Sequence, residues 1–355
     1  MRRVIESARL VGVVGCLTAG LVTGPGGPAV AQDGPAVAQD GAAEACSWAV
    51  EALPVLPGGR SADIDGVDPS GRFWSGSATD ADSRSHAVIW HAGQITDLGT
   101  SPGGVAIARD VNRRGTAVGV FTDASSTPRP ALWRHGQLVA LAMPADAVGG
   151  SALGVNNAGL IVGFIDFIGA KHAAFWWDRT PDRVTDLGTG GLQFAQLEGV
   201  SETGVLAGQT DGHTQTGAQV EQALTGTVRG GLRTLPGTAA GTLTTASSAA
   251  GRYVAGSELP LPGTGAGGGP IRWTFGHPQP LSTDKSAFAL AVNHRGQVVG
   301  FTANGSVVWR DGLQMPLPAL DGGTAFGAVT IADDGRVGGS QFTRTGVVPL
   351  IWTCG

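Results

Sequence analysis

The chain of 355 residues is long enough for two average domains or one large β domain. Only 14% of its residues are charged, and 59 Gly and 9 Trp stand beside just two lysines, Lys171 and Lys285, a make-up that suits many short strands joined by turns and not a helical bundle or a coiled coil. The formal charge of -5, with no basic run along the chain, argues against nucleic acid and against an anionic membrane surface as partners, while 42% hydrophobic residues suffice for a large core.

At the N-terminus, Arg2, Arg3 and Arg9 precede an uncharged stretch from Leu10 to Gly24, followed by the small-residue sites Ala29-Val30-Ala31 and Ala36-Val37-Ala38. This is the three-part pattern of a secretory signal. The two sites arise from a tandem GPAVAQD, and cleavage at the second predicts a signal peptide over 1–38, a short tail over 39–47 and a single domain over 48–355. Val13-Val14-Gly15-Cys16 has the outline of a lipoprotein box, but about five apolar residues precede it where an export signal has roughly 7 to 15, so lipid anchoring at Cys16 is a minor alternative. The Leu10 to Gly24 stretch also falls short of the roughly 20 residues of a membrane span, and nothing later is longer. A secreted, soluble monomer is expected. Once the leader is gone, Cys46 and Cys354 form an even pair in an oxidising compartment and are expected to be disulfide-bonded.

The first strand of the mature chain, Trp48 to Leu56, is followed by a turn that recurs to the end of the sequence: Val67-Asp68-Pro69-Ser70-Gly71, Val111-Asn112-Arg113-Arg114-Gly115, then glycines at 159, 204, 251, 296 and 335, spaced 44, 44, 45, 47, 45 and 39 residues apart. Asn or Asp ahead of Gly is turn chemistry, because Gly accepts the left-handed backbone of a tight reversal. A second Gly usually lies four or five residues on, at Gly119, Gly163, Gly208, Gly256 and Gly300. Trp90, Trp133, Trp177, Trp273, Trp309 and Trp352 end apolar runs, and Leu98, Leu141, Leu281 and Leu317 follow eight residues after such a Trp. Each unit therefore predicts four short strands, one before the Gly turn, one after it, one ending in Trp and one ending in Leu. Units of about 44 residues have the size of a propeller blade, and the count predicts an all-β, seven-bladed β-propeller of four-stranded blades. Trp48 to Leu56 has the character of a fourth strand and Val347 to Trp352 of a third, so the two ends of the chain are expected to share one blade and close the ring, with Cys46 and Cys354 at the cut turn.

The repeated residues resemble the HAF family of extracellular repeats, whose unit reads approximately HAFLW, a Gly turn, DLG, a Gly-Ser loop, then IN..G.VVG. Matching stretches are His86-Ala87-Val88-Ile89-Trp90, Asp97-Leu98-Gly99, Val111-Asn112, Gly115 and Val118-Gly119, with similar residues at His172-Ala173-Ala174-Phe175-Trp176, Asp186-Leu187-Gly188 and Val292-Asn293. The resemblance covers most of the mature chain and is fully matched in two or three units; the unit around 222 to 256 has Thr225 near the expected Trp and lacks the Asn. It implies a secreted bacterial repeat protein and carries no catalytic residues to transfer.

Motifs that carry chemistry are few. His86 and His172 repeat in register and read as structural, no histidine spacing matches a metal site, and no metal or cofactor is expected. The tryptophans in register read as packing between blades; Trp74 departs from the register and is a candidate for a surface role. Asp63, Asp65, Arg109, Asp110 and Glu198 are candidate ligand-binding residues, placed along the strands expected to line the central channel, on the side of the longer loops. Those loops, Gln209 to Gln222 and Pro260 to Pro270, are the first place to seek a binding surface. The expected function is a non-enzymatic binding or scaffold module for an unidentified protein or glycan. The alternatives are a carbohydrate-active hydrolase or lyase with a channel site built from Asp65, Arg109, Asp110 and Glu198, and a structural component of the cell envelope.

Overall fold

The computed structural model describes residues 46–355 apart from 190, 214–216, 218, 239–241, 261–267 and 322–326. The expected signal peptide, the tail up to residue 45 and Cys16 lie outside the described residues, as do parts of both longer loops. Every regular element among the described residues is a strand.

In chain order β1 is Trp48–Ala52; β2 to β5 are Ala62–Val67, Phe73–Thr79, Ser85–His91 and Gln94–Asp97; β6 to β9 are Ala106–Val111, Ala117–Thr122, Pro128–Arg134 and Gln137–Ala140. Then come β10 to β13 (Gly149–Val155, Leu160–Phe167, Ala170–Trp177, Thr180–Gly188) and β14 to β17 (Phe194–Val200, Leu206–His213, Gln219–Thr227, Gly231–Thr234). The chain ends with β18 to β21 (Thr242–Ala250, Tyr253–Pro260, Gly269–Thr274, His277–Pro280), β22 to β25 (Phe288–Val292, Val298–Thr302, Gly305–Arg310, Leu313–Pro316) and β26 to β28 (Ala328–Ile331, Val337–Phe342, Val347–Cys354). Each set of four is an antiparallel meander in sequence order. The sets β10–β13 and β14–β17 are joined by one parallel bridge, Lys171 to Phe194, and β26–β28 take β1 as their fourth strand. The chain start thus pairs with the chain end, from Trp48 opposite Cys354 to Ala52 opposite Leu350, and Leu53 N–H continues the ladder to the Pro349 carbonyl at 2.9 Å. Cys46 and Cys354 are disulfide-bonded across 308 residues of sequence, a bond that suits an oxidising environment.

The core lies between neighbouring sheets. One cluster joins Val118, Leu132 and Leu141 to Ala152, Ile161 and Trp176 of the next sheet, and another joins Ile64, Trp74 and Trp90 to Leu53 and Ile351 at the chain ends. Buried indoles tie sheet to sheet as well: Trp90, Trp176, Trp273 and Trp352 donate Nε1–H to the carbonyls of Pro54, Ala142, Pro236 and Pro318, all at 2.7 to 2.8 Å. The Trp position in the third set belongs to Trp176, fully buried opposite Ile161, and not to Trp177, whose side of the strand leaves it 40% exposed. In the fourth set, register puts Gly226 where the other sheets have Trp, and Leu206 and Leu224 occupy the cluster there. Trp74 packs inside, its ring against Gly338 of β27, so its break in register reflects a contact between sheets and not a surface role.

The Gly turns are fastened to one another. Asn112 accepts the N–H groups of Arg114 and Thr116 through Oδ1 and donates Nδ2–H to the Asn156 carbonyl; Asn156 repeats this toward the Ser201 carbonyl, and Asn293 toward Ala332. Asn suits this position because one short side chain caps its own turn and still has a donor left for the next sheet. Between the last and first sheets, Asp333 N–H donates to the Pro69 carbonyl, Ile64 N–H to Ser340 Oγ, and Arg336 Nη2 to the Gly71 carbonyl. The repeated His and Asp residues also find each other: His86 and His172 bond Asp97 and Asp186 at 2.9 and 2.7 Å, while those aspartates accept the Gly99 and Gly188 N–H groups. The pairing accounts for both residues as structure.

Candidate functional site

Each first strand of a set carries one extra residue that has no partner in the neighbouring strand. The slips fall at Asp65 in β2, Arg109 in β6, Leu153 in β10, Glu198 in β14, Ser247 in β18, Leu290 in β22 and Val329 in β26. A β-bulge of this kind re-aims a side chain and bends its strand. All of these residues line one solvent-open cavity of about 170 Å³. The second Gly of each repeat explains the bulge. A Cβ on Gly163 would lie 2.0 Å from the Ser151 carbonyl oxygen, two residues before the bulged Leu153, and Gly76, Gly119, Gly208, Gly256, Gly300 and Gly339 meet their bulged strands equally closely. Only glycine lets the two backbones come that near.

The cavity wall mixes polar Asp65, Arg109, Glu198 and Ser247 with apolar Leu153, Leu290 and Val329, and its mouth is bounded by Pro69, Glu202, His294 and Asp333 of the Gly turns. Four of the sequence candidates, Asp65, Arg109, Asp110 and Glu198, share this wall, while Asp63 is not part of it. The mouth therefore lies at the Gly-turn ends of the strands, opposite to the longer loops, because the bulges sit past mid-strand and tip the side chains that way.

Arg109 Nη1 donates to Asp65 Oδ1 at 3.0 Å across two sheets, with the two side chains 21% and 16% exposed. Arg109 Nε is buried and has no acceptor among the described residues. Burial raises the Asp65 carboxyl pKa against the opposing pull of Arg109, and burial likewise raises Asp63, which Ser340 and Arg109 pull back. Glu198 is also raised by burial and accepts a bond from Gln196 Nε2, whose amide oxygen in turn accepts from Lys171 Nζ at 3.1 Å. Asp110 is the most perturbed: burial, helped by Glu202 and Asp68, pushes its carboxyl up to about 7. Both its oxygens are engaged by backbone, Oδ1 by Val111 N–H and Oδ2 by Val155 N–H of the next sheet, each at 2.8 Å. Among the described residues no group of three or more metal-ligating side chains is assembled.

Charge is sorted along the strands in a way that the linear sequence conceals. The Gly turns and the turns after the third strands carry Arg72, Arg113, Arg114, Arg134, Arg179, Arg183, Arg229, Arg252, Arg295, Arg310 and Arg336 against Asp68, Asp178, Asp182, Glu202, Asp311, Asp333 and Asp334. The opposite ends carry Arg60, Arg84, Arg129, Lys171, Lys285 and Arg344 against twelve carboxylates, among them Asp80, Asp123, Asp166 and Asp284. Residues 44 apart look scattered in a sequence and become neighbours when the sheets stack.

No family model and no curated protein matches the chain. Among solved structures, the chain is similar to the β-propeller domain of the Trilobed protease from Pyrococcus furiosus, at 6% identity over 83% of this chain and 94% of that one, with a TM-score of 0.56. It is also similar to a puromycin-hydrolyzing peptidase of Mycobacterium tuberculosis, at 13% identity and a TM-score of 0.53, over 79% of this chain and 49% of the peptidase. At such identities the likeness shows the fold alone, and that fold is a β-propeller.

Proposed function

We propose that the protein is a secreted, non-enzymatic propeller of seven blades, of the HAF repeat kind, that holds a protein or glycan ligand over the cavity at its Gly-turn side. The carrying observation is the set of bulged residues, one from each first strand, converging on a single cavity. Support for a closed ring comes from β1 beside β28 and from the bonds between β27 and β2; support for secretion comes from the leader pattern and the disulfide. A binding role is favoured over acid–base chemistry because the cavity carboxylates are already engaged, Asp110 by two amides, Asp65 by Arg109 and Glu198 by Gln196. Glycan-array binding run beside a polysaccharide-degradation screen tests this. The expected result is binding that Arg109→Gln weakens, with no turnover. Turnover that disappears in Glu198→Gln would overturn it.

A further inference from the structure

The turn between β20 and β21 carries a side chain that its position does not favour. Equivalent turns place Ala92, His135 and Asp311 just before a glycine, each with a positive φ of 50 to 53°, and here the residue is Phe275 with φ 52°. A left-handed conformation is costly for a bulky aromatic residue. Phe275 gains little packing in return, since it is 71% exposed. Strain kept at an exposed site points to a use for the side chain.

Its surroundings say what kind. Phe275 N–H donates to the Arg252 carbonyl, and the Arg252 guanidinium lies 5.8 Å from the ring centre. On the other side Arg233 reaches Gly276: a Cβ there would lie 3.4 Å from its Nη1. Arg233 and Arg252 are both exposed, and neither forms an ion pair with a carboxylate among the described residues. Arg252 is held by the Tyr253 hydroxyl at 3.0 Å, so its fork is oriented without being neutralised. Two free guanidinium forks beside one flat apolar ring match a sugar ring that bears a carboxylate: the C–H face lies on the phenyl ring while the acid pairs with the forks. The patch belongs to the arginine-rich side, on which further units of an anionic chain meet arginines that outnumber the carboxylates of the turns.

We infer that Phe275, Arg233 and Arg252 form a binding site for an acidic polysaccharide on the Gly-turn side of the propeller. The inference rests on the reading of the protein as a binding module and names its ligand class. A nucleic acid fits less well, because Tyr253, the neighbouring ring, is half-buried and already engaged by Arg252 and Arg272, and the disulfide belongs to an oxidising compartment.

The test is binding of the full chain to immobilised polygalacturonate at low salt, with neutral dextran and duplex DNA as comparisons. Phe275→Asn is the decisive variant, because Asn tolerates the left-handed backbone: it should melt no lower than wild type, by contrast with a misfolded variant, yet bind polygalacturonate at least tenfold more weakly. Arg233→Gln with Arg252→Gln should lose as much, and Arg84→Gln with Arg344→Gln on the opposite side should change binding less than twofold. Wild type that ignores polygalacturonate, Phe275→Asn that binds it unchanged, or duplex DNA held as tightly as the polyuronate would each overturn the site. Loss of binding in Arg109→Gln with none in Phe275→Asn would leave the cavity reading standing and remove this one.

Discussion

Between pH 5 and 8 the folded protein should lose stability, and replacing Asp110 with Asn should remove most of that loss. Burial in the cavity wall raises the Asp110 carboxyl from 3.8 to about 7, with Glu202 and Asp68 adding to the effect. A raised acid pKa means that the folded state keeps its proton at pH values where the unfolded chain has released it, so stability falls as pH climbs from about 4 and levels off above about 7. From about pH 4, where the unfolded carboxyl ionises, to just above pH 7 the cost is about 4 kcal/mol, at 1.36 kcal/mol per unit. Asn has no charge to bury; its amide oxygen still accepts the Val155 N–H, while its NH2 cannot accept the Val111 N–H, a loss that is the same at every pH. The gap between the two proteins should therefore widen by about 4 kcal/mol in the variant's favour between pH 4 and pH 8. Asp63, Asp65, Asp166 and Glu198 are raised in the same direction and remain in both proteins, so the difference isolates Asp110. Asp80 and Asp123 are lowered, and their contribution changes only at more acid pH. Urea unfolding of both proteins across this range reads the effect. A gap between the two proteins that stays constant from pH 4 to pH 8 would refute the burial of that charge.

Three more outcomes are expected. Cys46→Ser, or reduction, frees a loop of 308 residues, and the chain-entropy model sets the loss at up to about 6 kcal/mol; calorimetry should show a melt lower by several degrees, up to about 9 °C, and an unchanged melt with two free thiols would contradict the latch. Gly163→Ala drives a methyl into the Ser151 carbonyl and should cost about 3 kcal/mol or more in denaturant titration, whereas the same change at Gly136, where a Cβ meets nothing within 4 Å, should cost only its left-handed backbone. Asn156→Ala removes both the cap on Leu160 N–H and the bond to the Ser201 carbonyl, so equilibrium unfolding should show a loss of about 2 kcal/mol.

The repeat made the strand pattern legible, because turn glycines and buried indoles recur wherever the backbone needs them. It also made β1 legible as a fourth strand, since Leu53 stands where Leu98 and Leu141 stand in their own sheets. What escaped was whatever depends on a one-residue choice. Trp176 and Trp177 are adjacent, face opposite sides of one strand, and only the pairing of Trp176 with Ile161 decides which is buried. Trp74 read as out of register because its partner, Gly338, is 264 residues away. The bulges are single insertions, invisible in a hydrophobic pattern, so the cavity residues were found only in part and on the wrong side. A signal for them was nevertheless present. Each bulged residue lies nine to eleven positions before the second Gly of its repeat, as Arg109 does before Gly119 and Glu198 before Gly208.

That spacing separates scaffold from specificity within one chain. The second Gly, the Gly-turn cap and the Trp recur because backbone approach, turn capping and sheet packing are the same problem in every sheet. The bulged position is fixed just as firmly by backbone geometry, yet its residue changes from Asp to Arg, Leu, Glu, Ser, Leu and Val around one cavity. The residue before the turn glycine behaves likewise, from Ala92 to His135, Phe275 and Asp311. If these side chains served only to fill space, one well-packing residue would recur, as Trp does. Variation at positions that geometry holds constant and that face solvent is what recognition of an asymmetric ligand requires, because each sheet then meets a different part of it. The repeat supplies a rigid frame, and on the proposed binding role the residues that break the repeat are where a ligand's identity would be read.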